Sequence, residues 1–352
     1  MNDKTRPVSI WIIIGVIMLF IQVILGGITR LTGSGLSITE WNIVTGMLPP
    51  LTENQWLAEF NKYQQTPQYY LLNTGFSLSD FKFIFFWEWL HRFWARLIGI
   101  VFIVGFVYLV SKKQLKKEMQ APLLVLFLLG ALQGTIGWIM VASGLTGDAV
   151  YVKPTRLALH FIFALGLIAY AFWFALQLLV PNKQLIIHRP FRKFTWWMIG
   201  LVLIQLVFGA LMAGHKAATA APTWPDINGS FIPDSVFSQS SFLLDLVQNK
   251  ITIHFVHRML AYILLFLTIW YTLKAFSIKN GGKLFTKFRS TPLLLIIPQV
   301  LLGIFSLLTS PDIVPNQWGV FEWLAQLHQI TGMLLLLSFV MLLFLTSAKP
   351  IG

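Results

Sequence analysis

Four ionisable side chains, Glu88, His91, Arg92 and Arg96, stand at spacings of three, four and eight residues from the first within the run Phe86-Trp-Glu-Trp-Leu-His-Arg-Phe-Trp-Ala-Arg96. On a helix those spacings put them on one face, where they can converge on a single ligand. The His-Arg pair returns in Ile253-His-Phe-Val-His257-Arg258-Met-Leu-Ala261, and two further apolar runs each carry one histidine, His160 and His328. Imidazole is the commonest side-chain metal ligand, so histidines in such surroundings point to ligation. Glu88 adds a carboxylate able to act as a base toward water or to stabilise a cationic intermediate. An i, i+4 ion pair with Arg92 is the competing assignment. In the second segment His254 occupies the place of Glu88, so chemistry is expected in the first.

The elements that position these residues are membrane helices. The chain has 352 residues, of which 56% are hydrophobic and 11% charged, the composition of an integral membrane protein. Apolar runs long enough to cross a bilayer lie at 8–28, 84–110, 121–142, 157–180, 195–214, 252–275, 292–309 and 325–346. They predict an all-α integral membrane protein with eight transmembrane helices. The first run is too long for a signal peptide and lacks a small-residue cleavage site, so it is expected to remain as an anchor. The net charge of +13 does not imply nucleic acid, because the bases gather in alternate loops: Lys112 to Lys117, Lys183 to Lys193 and Lys274 to Arg289. The positive-inside bias puts those loops, and with them both termini, in the cytoplasm. With no cysteine in the chain, disulfides, thiolate metal sites and thioether-linked haem are excluded.

A Gln-x-x-x-Gly spacing recurs on the odd-numbered runs, from Gln22, Gln133, Gln205 and Gln299 to Gly26, Gly137, Gly209 and Gly303, and reads as helix packing. The even-numbered runs carry the histidines, and His91 to Gln133 and His257 to Gln299 are both separated by 42 residues. This predicts two tandem four-helix bundles, 1–180 and 190–352, in a parallel pseudo-twofold repeat. All four histidines are expected within the first turn or two of the even runs, at one membrane depth. Two histidines per bundle suit bis-imidazole coordination of a haem between facing helices, with the 14 tryptophans as wall material. Zinc would ordinarily collect four ligands at compact spacing. Arg92 and Arg258, each following a candidate ligand, are candidates for pairing with haem propionates, or for snorkelling at the interface. His254 reads as a pocket or surface residue; His188 and His215 receive no role. The loop 29–83 is punctuated as a fixed loop and is long enough to be a lid.

This loop runs Gly26-Gly-Ile-Thr-Arg30-Leu-Thr-Gly-Ser-Gly-Leu-Ser37-Ile-Thr-Glu-Trp41 and reaches Glu59-Phe-Asn-Lys-Tyr63 and Thr66-Pro67. With Glu88-Trp-Leu-His91-Arg92, Thr223-Trp-Pro-Asp-Ile-Asn-Gly229, Pro233, His257-Arg258 and Leu327-His328-Gln329, it resembles the Cox15/CtaA family of haem A synthases over nearly the whole chain. The resemblance implies oxidation of a ring methyl of haem O to the formyl group of haem A, by successive hydroxylations with water as oxygen source and a final loss of water. It implies that His91 and His160 hold the substrate haem beside Glu88, and that His257 and His328 hold a haem b that relays electrons. It further implies a bacterial plasma membrane, a haem O synthase and cytochrome oxidase assembly factors as partners, and an electron acceptor it does not identify; a homo-oligomer is compatible with it. Some members carry a cysteine pair in the first outer loop, and this chain resembles the mitochondrial and proteobacterial branch that lacks it. Two rivals stand beside this expectation: a bis-histidine dihaem b-type electron carrier, which uses the same histidines without converting a haem, and a transporter, which predicts helices broken at the midplane.

Overall fold

The computed structural model describes residues 6–41, 45–239, 241–279, 281–314 and 317–346. The chain termini, expected in the cytoplasm, lie outside the described residues. Regular structure among the described residues is helical, with one isolated bridge between Ile227 and Ser230. Twelve α-helices follow in order: α1 (Arg6–Leu31), α2 (Glu53–Tyr63), α3 (Pro67–Leu72), α4 (Leu78–Ser111), α5 (Lys117–Ala142), α6 (Pro154–Leu179), α7 (Arg189–Gly214), α8 (Phe242–Gln248), α9 (Lys250–Phe276), α10 (Lys283–Phe288), α11 (Thr291–Leu308) and α12 (Val320–Leu345). Eight segments are long and apolar enough to cross a membrane: α1, α4, α5, α6, α7, α9, α10 with α11, and α12.

Their ends are set by local chemistry that hydropathy does not register. α4 starts at Leu78 rather than 84, because Ser77 and Asp80 form a reciprocal capping box in which the Ser77 amide donates to Asp80 Oδ2 at 2.9 Å. His91 therefore sits in the fourth turn of α4 instead of the first two. α7 starts at Arg189, where His188 Nδ1 accepts from the Phe191 amide at 3.1 Å and Pro190 occupies the first turn. α1 runs on to Leu31, which brings Arg30 onto the helix. None of the eight crossings is broken at its middle; the interruption between α10 and α11 falls at 289–290, near one end.

α1 packs on α4 and α6, and α5 on α6; α7 packs on α9 and α12, and α11 on α9 and α12. The two groups meet where α6 lies against α7 and where α12 lies against α6 and α1. α12 is the central helix and α4 a peripheral one: 56% of the apolar window of α12 is buried, against 6% for α4. The main core, with Leu165, Ile168, Met198, Tyr271 and Phe339, fills the region where α6, α7, α9 and α12 converge. Closer to the long connections, the same helices surround a cavity.

Candidate functional site

The Gln-x-x-x-Gly spacing is a seat for the histidines. A methyl group added at Gly26 would lie 3.3 Å from His91 Nε2, and one at Gly209 3.3 Å from His257 Cε1. The same addition at Gly137 or Gly303 would come within 2.9 Å of Cε1 of His160 or His328. Each ring thus lies close against helix backbone, where an added side chain would crowd it. The glutamine one turn away holds the same histidine: Gln22, Gln133 and Gln205 donate through Nε2 to the carbonyls of His91, His160 and His257 at 3.2, 3.1 and 2.9 Å. In the fourth seat the contact is ring to backbone, His328 Nδ1 to the Gln299 carbonyl at 2.9 Å. Supports of this kind fix ring orientation in metal sites. Sequence reasoning identified the packing spacing but not its partner.

All four rings line one continuous cavity of about 1110 Å³, larger than the roughly 300–1,000 Å³ that accommodates a single drug-sized ligand. His257 and His328 face one another with ring centroids 6.3 Å apart. Metal–imidazole bonds of about 2.0–2.1 Å put two rings on opposite sides of one metal with centroids about 6 Å apart, so the pair fits axial ligation of a haem iron. No group of three or more His, Asp or Glu side chains gathers as a metal site among the described residues. That disfavours the zinc alternative and suits an iron whose other ligands belong to a porphyrin.

Glu88 is buried, 2% exposed, and lines the cavity. Its Oε2 accepts from Ser37 Oγ at 2.7 Å and from the Ile38 amide at 2.9 Å, and its Oε1 accepts from Arg92 at 2.5 Å. The ion pair weighed from the sequence is therefore formed, and the carboxylate also fastens the connection between α1 and α4 to α4. Arg92 continues this fastening: it donates to the carbonyls of Ile38 and Glu40 and packs on the Trp41 ring at 4.8 Å. Arg258 does the same for the other long connection, donating to the carbonyls of Thr223, Pro225 and Asp226. Both arginines line the cavity while bonding to loop backbone, Arg92 through one nitrogen to Glu88 as well.

The first loop is itself folded. Phe60, Tyr63, Phe81, Ile84 and Phe85 form a small core of α2 and α4 residues. The Tyr63 hydroxyl donates to Gln68 Oε1 at 3.0 Å and accepts from Asn73 at 2.7 Å. Burial pushes its phenol up to about 12. His254 is a pocket residue, 2% exposed, with neither ring nitrogen hydrogen-bonded among the described residues. His188 caps α7 and His215 Nε2 meets the Val247 carbonyl at 2.8 Å, so both have structural work away from the four ligating candidates.

The two histidine pairs differ in the space beside them. α9 packs along α11, whereas α4 and α5 are splayed and meet through the stacked rings of Phe102 and Phe127, 6.3 Å apart. On that side the cavity lining includes three glycines: a Cβ added at Gly99, Gly130 or Gly134 would meet nothing within 4 Å. The residues 166 positions further on are Leu265, Ile296 and Val300, and Ile296 is buried.

Fold and site together define a polytopic, all-helical membrane protein with four glycine-seated histidines around one cavity. The family model for COX15-CtaA, cytochrome oxidase assembly protein, matches residues 9–340, and the chain belongs to that family. It is 40% identical over 346 residues to a haem A synthase of Flavobacterium johnsoniae, covering 96% of each chain. To the haem A synthase of Parvibaculum lavamentivorans it is 44% identical over 271 residues, 77% of this chain and 78% of the relative. The haem A synthase of Rhodospirillum centenum is 47% identical over 258 residues, 73% of this chain and 68% of the relative.

Proposed function

We infer that this protein converts haem O to haem A, oxidising one ring methyl to a formyl group. Each of two hydroxylations takes its oxygen from water and releases two electrons and two protons; the resulting geminal diol loses water to give the aldehyde. Four electrons must therefore leave the substrate. In our reading the substrate haem is held by His91 and His160, and a haem b by His257 and His328, each ring pressed on its glycine seat. The haem b, when bound, supplies one-electron redox chemistry. Glu88 is the group that takes a proton from water or faces a developing positive charge, and its bonds to Ser37, Ile38 and Arg92 keep it in place. Arg92 and Arg258 hold the outer loops over the two haems, which excludes bulk water and strengthens electrostatic effects inside.

The observation that carries the division of labour is the unequal space beside the two pairs. Haem O differs from haem b in bearing a long isoprenoid chain, and the open wall at Gly99, Gly130 and Gly134 offers that chain a path between α4 and α5. Leu265, Ile296 and Val300 occupy the corresponding positions beside His257. Glu88 stands on the side with the open wall, and His254 on the other. We further propose two four-helix halves of common origin, both termini in the cytoplasm of a bacterium with the protein in its plasma membrane, and exchange of haem O and haem A with a haem O synthase and cytochrome oxidase assembly factors there.

The four matched seats also suit a dihaem b-type electron carrier, and one experiment separates the readings. Haems are extracted from protein purified out of cells that also make haem O, and are resolved by chromatography. Haem A alongside haem b is the expected result. Haem b alone, with haem O available, would favour the carrier.

A further inference from the structure

Arg30 differs from Arg92 and Arg258, the arginines of the two His-Arg pairs, which line the same cavity. Gln22, Gly26 and Arg30 follow one another at four-residue steps on α1 and share a face. Gln22 holds the His91 carbonyl, and Gly26 carries the His91 ring. Arg30 is therefore one turn beyond that ring, toward the long outer loop, and it lines the cavity. Its Nε is buried without a partner, and its terminal nitrogens donate to no protein acceptor among the described residues. Glu322 attracts it from beyond ion-pair distance, with Oε2 already accepting from the Gly319 amide at 2.8 Å. Arg92 and Arg258 are committed to loop carbonyls, as described, and Arg156 donates to the Ile139 carbonyl. A guanidinium that faces a cavity with its Nε buried and no carboxylate at ion-pair distance is costly, and ionisable groups within a membrane protein usually serve a ligand or a pathway. Eight residues after Gln205, where Arg30 stands eight after Gln22, the chain has Ala213, so the unmatched cation belongs to one histidine pair only.

We propose that Arg30 is the carboxylate-binding residue of the His91–His160 site, receiving a propionate of the haem held there in a charge-assisted hydrogen bond. The inference rests on the reading that these two histidines hold a haem. It makes Arg30 a positioning residue: with one edge of the porphyrin anchored toward the outer loop, the opposite edge is directed to the open wall between α4 and α5, and rotation of the ring about the iron is prevented.

The test varies the carboxylate and the arginine together. Full-length protein with haem b already in its second site is titrated with haem O and with the dimethyl ester of haem O. The bis-histidine Soret change that His91→Ala abolishes is followed in wild type, Arg30→Leu and Arg30→Lys. Wild type is expected to bind the free acid 10- to 100-fold more tightly than the ester. Arg30→Leu should bind both alike, at the wild-type affinity for the ester, and Arg30→Lys should recover part of the difference. Retention of the full acid–ester difference in Arg30→Leu would overturn the proposal. So would equal weakening of acid and ester, which is what loss of an α1–α12 brace would give. Absence in wild type of any His91-dependent spectrum would remove the underlying reading and the proposal with it, and is distinct from both.

Discussion

Replacing Gly130 by Ile and Gly134 by Val gives α5 the side chains that α11 carries at Ile296 and Val300. Because a Cβ at either glycine would meet nothing within 4 Å, the apo fold is expected to accept them, with helix propensity improved by roughly 0.3–0.6 kcal/mol per site. The effect falls on the ligand. Lipid is as apolar as the groove, so an excluded isoprenoid chain loses little hydrophobic free energy; the cost is overlap with the added methyl groups and distortion of the haem's seating. Overpacking of this kind costs about 1–3 kcal/mol, which is roughly a 5- to 150-fold loss of affinity for haem O. Haem b, which has no such chain, should bind the His91–His160 site as before. The assay is a spectroscopic titration of the first site with each haem, in protein whose second site is already filled. Equal weakening of haem O and haem b, or no weakening of either, would refute the assignment of the groove to the isoprenoid chain.

Glu88→Ala should retain the haem of the second site yet form haem A at least about 100-fold more slowly, the usual minimum for loss of a general acid or base; unchanged haem A formation, measured by chromatography of extracted pigment, would remove its catalytic role. His257→Ala should lose the haem b spectrum, and Gly303→Leu should do the same without touching a ligand, because the added side chain lands on the His328 ring. The folded connection between α1 and α4 should be alkali-sensitive. With the Tyr63 phenol raised from 10.0 to about 12 in the folded state, its contribution is complete below the unfolded value and is lost as pH rises through the folded one. Tryptophan fluorescence of that connection followed from pH 9 to about 12.5 should show this loss, and Tyr63→Phe should reduce it.

Much of this architecture is legible in the chain because membrane helices are specified locally. Each of the eight apolar runs corresponds to a crossing, and the four histidines stand out because ionisable groups are rare in such runs. What escapes is set by contacts between elements or by polar residues that end a hydropathy window too soon. Arg30 and Thr29 close the apolar run at residue 28, yet both lie on α1, and it is the last helical turn that turns Arg30 into the cavity. The capping signal Ser77-Leu-Ser-Asp80 was present before the second run, but no apolar residue count registers it. Apart from the Arg92–Glu88 pair, the partners of Arg92 and Arg258 are backbone carbonyls of distant loops, which no side-chain pattern encodes. The fixed four-residue step from glutamine to glycine was visible, whereas the histidine ring against that glycine required the neighbouring helix.

The contrast between the two histidine pairs has a physical logic. Four seats of one design hold four rings, so the differences lie around the rings: Glu88 against His254, Arg30 against Ala213, and glycines at 99, 130 and 134 against Leu265, Ile296 and Val300. Two of these differences leave the first site less packed: Arg30 has no ion-pair partner among the described residues, and an apolar wall is left unfilled where close packing is the norm. Under the proposed division of labour, the closer packing of the second site, beside the most buried helix, α12, suits the site that keeps its cofactor. A site that admits a substrate and releases a larger-polarity product cannot be closed in that way, because its opening and closing must cost little free energy. The proposed substrate site fits its place in the fold: Glu88 and His91 lie on α4, the least buried of the eight long apolar helices, whose displacement disturbs the core least.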